Sequence, residues 1–238
     1  MSDFKLEKQI PSCDVDKKVL KEIEEYLIAR AKTLAGKDIL EHSDRFSVQI
    51  HDDLGVETVS SVNDIPGGQF LDSTRRIQLR LNLKYGFQGF PLEIDIKFDK
   101  DRILSNLNIS YSGDDARSVV AGLHDGIMRL IMSARNNNRY FNPPVFLEGL
   151  LWFSTSVPML GGSALDKHLP NAWPYAFLIT ALMWSYLIAG KRLRPYTAFD
   201  TPVTKRNAKL VEWFVYGLLG FIVFGTFFTE IRKGVLGF

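Results

Sequence analysis

WPYAFLITALMWSYLIAG, Trp173–Gly190, is a run with no ionisable side chain except tyrosine, close to the roughly 20 residues that a ~30 Å hydrocarbon core requires. A basic stretch follows, with Lys191, Arg192, Arg194, Lys205, Arg206 and Lys209 set against the single acid Asp200. Leu210–Phe228 (LVEWFVYGLLGFIVFGTFF) is apolar again. Two such runs around a Lys/Arg-rich loop predict a membrane hairpin with the loop on the cytoplasmic side. A third apolar segment, Val145–Leu165, is interrupted by Glu148, Ser154-Thr155-Ser156, Pro158 and Gly161-Gly162. The charge bias requires it to cross as well if the N-terminal part stays inside. The first fifteen residues carry acids and no apolar h-region, which argues against an export signal.

Upstream of these segments the pattern changes. Residues 16–35 repeat apolar side chains (Val19, Leu20, Ile23, Leu27) at helical spacing, with Ser12 or Asp14 as a cap and Gly36 as a stop. Phe46, Val48 and Ile50 alternate with polar residues, Val56–Val62 does so more weakly, and Asn63–Gly68 has turn composition. Ile77, Leu79, Leu81 and Leu83, then Leu92, Ile94, Ile96 and Phe98, then Leu107, Ile109 and Tyr111 complete a meander with one apolar face. Gly113-Asp114-Asp115 introduces a second helix carrying the stripe Val120, Leu123, Ile127, Leu130, Ile131, Ala134. The expected fold is an α+β domain over 1–135, an antiparallel sheet with two amphipathic helices. A linker over 136–144 and an all-α transmembrane region of three helices over 145–238 follow, with spans at 145–165, 173–190 and 210–228.

A net charge of +2 argues against a nucleic-acid partner. Cys13 is the only cysteine, which excludes an internal disulfide and a thiolate metal cage. No P-loop, GxGxxG, GxSxG or HExxH occurs, so neither a cofactor nor a metal is expected. The candidate residues are of three kinds. Glu148, Ser154, Thr155 and Ser156 are polar groups inside an apolar segment, where an ionisable side chain points to function, although Glu148 lies near the end and hydroxyls often bond back to the preceding turn. The six cations of the basic loop serve as a topology signal or as lipid contacts. In the N-terminal domain His51, Asp52 and Asp53 form a cluster at a strand end, and His124 lies beside the stripe of the second helix. Gly122 and Gly126 match GxxxG in a charged helix, which points to close packing on the sheet rather than to a membrane dimer motif.

The sequence therefore predicts a multi-pass inner (plasma) membrane protein with a cytoplasmic sensor domain, coupled through a short stiff linker to an oligomeric effector or pore. A scaffolding subunit of a larger membrane complex and an enzyme at the membrane surface are the alternatives. The expected partners are the lipid bilayer and further copies of the chain, or a membrane complex.

Overall fold

The computed structural model describes residues 2–35, 46–67, 69–83, 92–160, 172–213 and 216–217, with the backbone alone at 35, 155–160, 172–176 and 178–179. Six strands form one antiparallel sheet: β1 (Ser2–Gln9), β3 (Phe46–His51), β4 (Val56–Val59), β5 (Arg76–Leu83), β6 (Leu92–Asp99) and β7 (Asn106–Gly113). Their spatial order is β1-β7-β6-β5-β3-β4, so the N-terminal strand closes one edge beside the last strand of the meander. Register follows the alternation in sequence. Leu79 lies between Val48 and Ile96, and Ile94 lies between Leu81 and Ile109, so one face collects the aliphatic side chains.

Helices α1 (Lys17–Ala35) and α2 (Ala116–Ser133) cover that face. Leu20, Ile23, Leu27 and Ala31 of α1 and Val120, Ile127 and Ile131 of α2 are fully buried against the sheet core. Each large aliphatic side chain removed from water in this way contributes about 1.5–3 kcal/mol before the ordering cost. Asp16 caps α1, its Oδ1 accepting from Val19 N at 2.8 Å, rather than Ser12 or Asp14. The glycines of α2 pack against α1, not against the sheet. Tyr26 lies over Gly126, leaving no room for a Cβ there, and its hydroxyl donates to Gly122 O at 3.3 Å. Asp115, just ahead of α2, has φ 56°, a left-handed conformation that aspartate tolerates better than most residues.

Beyond α2 come α3 (Val145–Leu160), α4 (Ala172–Leu193) and a helical segment over residues 202–213. Among the described residues no helix is long and apolar enough to cross a membrane, which corrects the expected transmembrane region. The 16 described residues of α3 rise about 24 Å, short of the ~30 Å hydrocarbon core. In α4, 22 residues long, Trp, Tyr, Thr and Ser punctuate the run, and Lys191 and Arg192 close it. Part of its apolarity is met by protein instead of lipid: Leu187 and Thr180 are buried, and Gly190 lies against Phe141. The third expected span, 210–228, and residues 161–165 of the first fall mostly or wholly outside the described residues, as does Gly36. With the spans go the inner-membrane placement, the pore-forming effector and its membrane-complex and membrane-surface alternatives.

Two further strands escape the alternation pattern. β2 (Cys13–Val15) and β8 (Thr197–Phe199) pair in parallel, clipping the segment after α4 onto the start of the chain. β1 lies in the acid-bearing first fifteen residues, where no strand was expected, and carries Phe4 and Leu6 on its inward side against Tyr111 and Ile109.

Candidate functional site

The junction between the α+β domain and the helices begins at the asparagine-rich stretch after α2. These residues were expected to be a linker, but their amides are engaged. Asn136 Nδ2 donates to Asp14 Oδ1 at 2.7 Å, and Asn138 Nδ2 donates to Pro195 O at 2.9 Å. Asn142 Nδ2 donates to Asn138 O at 3.0 Å and to Arg194 O at 2.8 Å. Asn138 and Asn142 are both buried, where an amide left without a partner would cost about 1–3 kcal/mol. They hold the entry to α3 and the exit of α4 side by side.

The exit then enters the domain. Tyr196, Thr197, Ala198 and Phe199 are all buried. Tyr196 Oη donates to Ile10 O at 2.8 Å, and Tyr196 N to Lys100 O at 3.0 Å. The Phe199 ring meets Phe70 edge-on at 6.2 Å and belongs to the main hydrophobic core. Thr201 caps the helical segment 202–213, its Oγ1 accepting from Thr204 N at 3.1 Å. Asp72, from the loop before β5, accepts from Val203 N at 3.0 Å, placing a carboxylate of the domain on the first turn of that helix, where the macrodipole favours it.

A cleft of about 590 Å³ opens between these roots and the end of the sheet, lined by Asp53, Asp72, Arg75, Asp99, Lys100, Asp101, Asn142, Lys191, Arg192 and Asn207 among others. Most of its charges are already matched. Arg75 pairs with Asp53 at 2.6 Å, Arg76 with Asp99 at 2.6 Å, and Lys191 with Glu148 at 2.6 Å. Among the described residues Lys100 donates only to the Asp72 main-chain oxygen, at 3.4 Å, and burial holds its pKa below the usual lysine range against the pull of Asp53. Arg192 makes no ion pair among the described residues. Lys100 and Arg192 thus retain donor capacity, and Asp101 retains acceptor capacity.

The structure brings Asp53, Lys191 and Arg192 together on this cleft, with Glu148 joined to it through Lys191. Arg194 donates to Ala208 O at 3.1 Å and Lys205 pairs with Asp200 at 2.7 Å, so both fasten the helical segment; Arg206 and Lys209 are exposed on it. Asp52 is used within its own turn, accepting from Leu54 N and Gly55 N. The His51 Nε2 is buried without a hydrogen-bond partner among the described residues, and burial, reinforced by Arg76 and Arg80, holds its pKa below the usual value. His124 sits on α2 with Nδ1 3.0 Å from Asp125 and shares no hydrogen bond or ion pair with His51. Ser154 bonds back to Leu151 O at 3.0 Å; the side chains of Thr155 and Ser156 lie outside those described. Asn138, Asn142, Tyr196, Phe199 and Asp72 were not singled out from sequence. The uncharged run Tyr196–Phe199 inside a basic stretch was the available signal.

Away from the junction α3 and α4 pack on each other, with Trp152 and Trp184 edge to face at 5.4 Å, and leave a large apolar surface. Phe146, Leu150 and Phe153 recur at i, i+4 and i+7, one face of α3, while Phe177 and Ile188 are exposed on α4. Phe146, Leu150 and Phe153 thus give α3 an exposed apolar stripe, a feature of interaction surfaces. In comparisons with known proteins, no family, no curated protein and no solved structure gives a significant match to this chain.

Proposed function

We propose that the chain is a coupling module: the α+β domain grips the roots of a helical arm formed by α3 and α4, the arm's apolar flank binds a protein partner, and binding there is relayed to the domain through the β2–β8 clip. The observation that carries this reading is the burial of Tyr196–Phe199 inside the domain. A segment that merely linked two helices would have no reason to place a phenylalanine in another unit's core. Here α4 cannot shift along its axis without dragging Phe199 and the first turn of 202–213 with it.

Hydrogen–deuterium exchange on the full chain tests the relay. Asn142→Ala removes the side-chain bonds to Arg194 O and Asn138 O. Faster exchange is expected in the last turns of α4 and also in β2 and β8, which lie across the clip. Faster exchange confined to residues 138–145 would refute the coupling.

A further inference from the structure

We infer that the cavity beside the β2–β8 clip binds a free α-amino acid with an aliphatic side chain. The cavity has a volume of about 270 Å³ and is walled by β2, the end of α4, β8 and the helical segment 202–213. At about 30 Å³ per water it holds roughly nine water-sized groups, whereas sites for drug-sized molecules begin near 300 Å³. Size alone therefore points to a small metabolite.

The chemistry of the ligand follows from what the walls leave unmatched. Arg194 lines the cavity, and its Nε is buried with no hydrogen-bond acceptor among the described residues. Its Nη2 donates to Ala208 O at 3.1 Å, and its ion pair with Glu212, at 3.9 Å, involves a carboxylate that is 61% exposed. A pair so wide and so open to water neutralises little of the guanidinium. A carboxylate is the group whose geometry an arginine fork matches. Asp14 and Asp16 line the same cavity with the opposite need. Each uses Oδ1 within the fold, Asp14 accepting from Asn136 Nδ2 at 2.7 Å and Asp16 from Val19 N at 2.8 Å. Neither forms an ion pair among the described residues. Asp200 and Lys205 complete the charged lining and match each other at 2.7 Å. Unmatched charge of both signs around one small volume selects a zwitterion, with its carboxylate on Arg194 and its ammonium toward Asp14 and Asp16. A phosphate would meet two carboxylates, and a simple amine would leave the guanidinium unmatched. Leu193, Pro195 and Ala208 supply an apolar wall for an aliphatic side chain. Occupancy ties β2 to the exit of α4, and does so whatever the arm binds.

Isothermal titration calorimetry of the full chain with leucine, to about 10 mM, tests this. One site per chain is expected. N-acetyl-leucine lacks the ammonium and leucinamide lacks the carboxylate, so each should bind at least about tenfold more weakly, the loss of one charge-assisted hydrogen bond. Asp14→Asn keeps an oxygen for Asn136 but removes the charge, and should weaken leucine by a similar factor with the melting temperature unchanged. Asp125→Asn, at a carboxylate 79% exposed on α2, should leave binding intact. Hydrogen exchange in β2 and β8 should slow when leucine is added. Absence of leucine binding at 10 mM would overturn the inference. So would blocked derivatives that bind as tightly as leucine, an affinity unchanged in Asp14→Asn, or slowed exchange confined to regions away from the clip. The relay is read from Asn142→Ala without any ligand, so a failed leucine titration with an intact relay removes this inference alone.

Discussion

Replacing Phe199 by alanine measures how far the segment after α4 belongs to the α+β domain. The side chain is fully buried, packs edge-on against Phe70 and sits in the same core as the sheet and α1. Truncating a buried phenylalanine costs about 3–5 kcal/mol, the lost transfer energy plus the cavity it leaves. Against a domain stability of about 5–15 kcal/mol that is a large fraction. At about 2–4 °C per kcal/mol for a chain of this size, the melting temperature should fall by roughly 6–20 °C. Two probes are read together. Trp152, Trp173, Trp184 and Trp213 all lie beyond residue 150, so tryptophan fluorescence reports the helices after α2, whereas circular dichroism at 222 nm also includes α1 and α2 and so reports the chain as a whole. Urea unfolding of Phe199→Ala should move the midpoint of both signals to lower concentration together, and Leu54→Ala, at a side chain 92% exposed, should move neither by more than about 0.5 kcal/mol. A loss below about 1 kcal/mol in the dichroism transition would show that Phe199 is not part of the domain core, and the clip argument would fall with it.

Gly126→Val should destabilise the domain by about 1–3 kcal/mol, because a side chain there meets the Tyr26 ring; thermal unfolding reads the cost, and Tyr26→Ala in the same chain should relieve part of it. His51 has a folded pKa below its unfolded value of about 6.5, so the unfolded chain takes up the proton first. Stability should therefore be full above pH 6.5 and fall as pH drops from there through the folded pKa, and His51→Gln should flatten that part of a stability-against-pH curve. The Cys13 thiol is buried and pushed up to about 12 by desolvation, with Asp14 adding to the effect, so Ellman's reagent should leave it unlabelled at pH 8 until denaturant is added. Asp115→Gly should stabilise the chain by about 0.5–1 kcal/mol, since glycine adopts φ 56° at no steric cost; the urea midpoint measures it.

The strands that could be read from sequence are those with one buried face. Ile77–Leu83 and Leu92–Phe98 alternate because every second side chain enters the core, and the structure pairs them in full register. β1 was legible in principle, through Phe4 and Leu6, but Asp3, Lys5, Glu7 and Lys8 resemble a solvated lead. β8 was not legible: three residues carry no period, and its partner β2 lies far away in sequence. The apolar run of α4 failed for a different reason. Hydropathy records that side chains avoid water but not what they meet, so Leu187 packed within the protein and a residue facing lipid score alike. Asparagines 138 and 142 misled in the opposite sense, because a hydrogen-bonded buried amide and a solvated linker amide are the same letter. Of the candidate cleft, only Asp53, Lys191 and Arg192 were in view beforehand, and nothing in the sequence joined them.

The parallel pairing of β2 with β8 also sets an order on synthesis. The strands, α1 and α2 of the α+β domain are all encoded before residue 135, yet Phe199 fills their core. At about 5–20 residues per second the ribosome supplies it roughly 3–13 s later, after α3 and α4 have been made. During that interval Phe70 and the inner face of β2 lack their covering. A domain whose last core residue arrives behind its own arm completes its packing only after the arm has been made, so the stability of the domain depends on the arm having been synthesised through to Phe199.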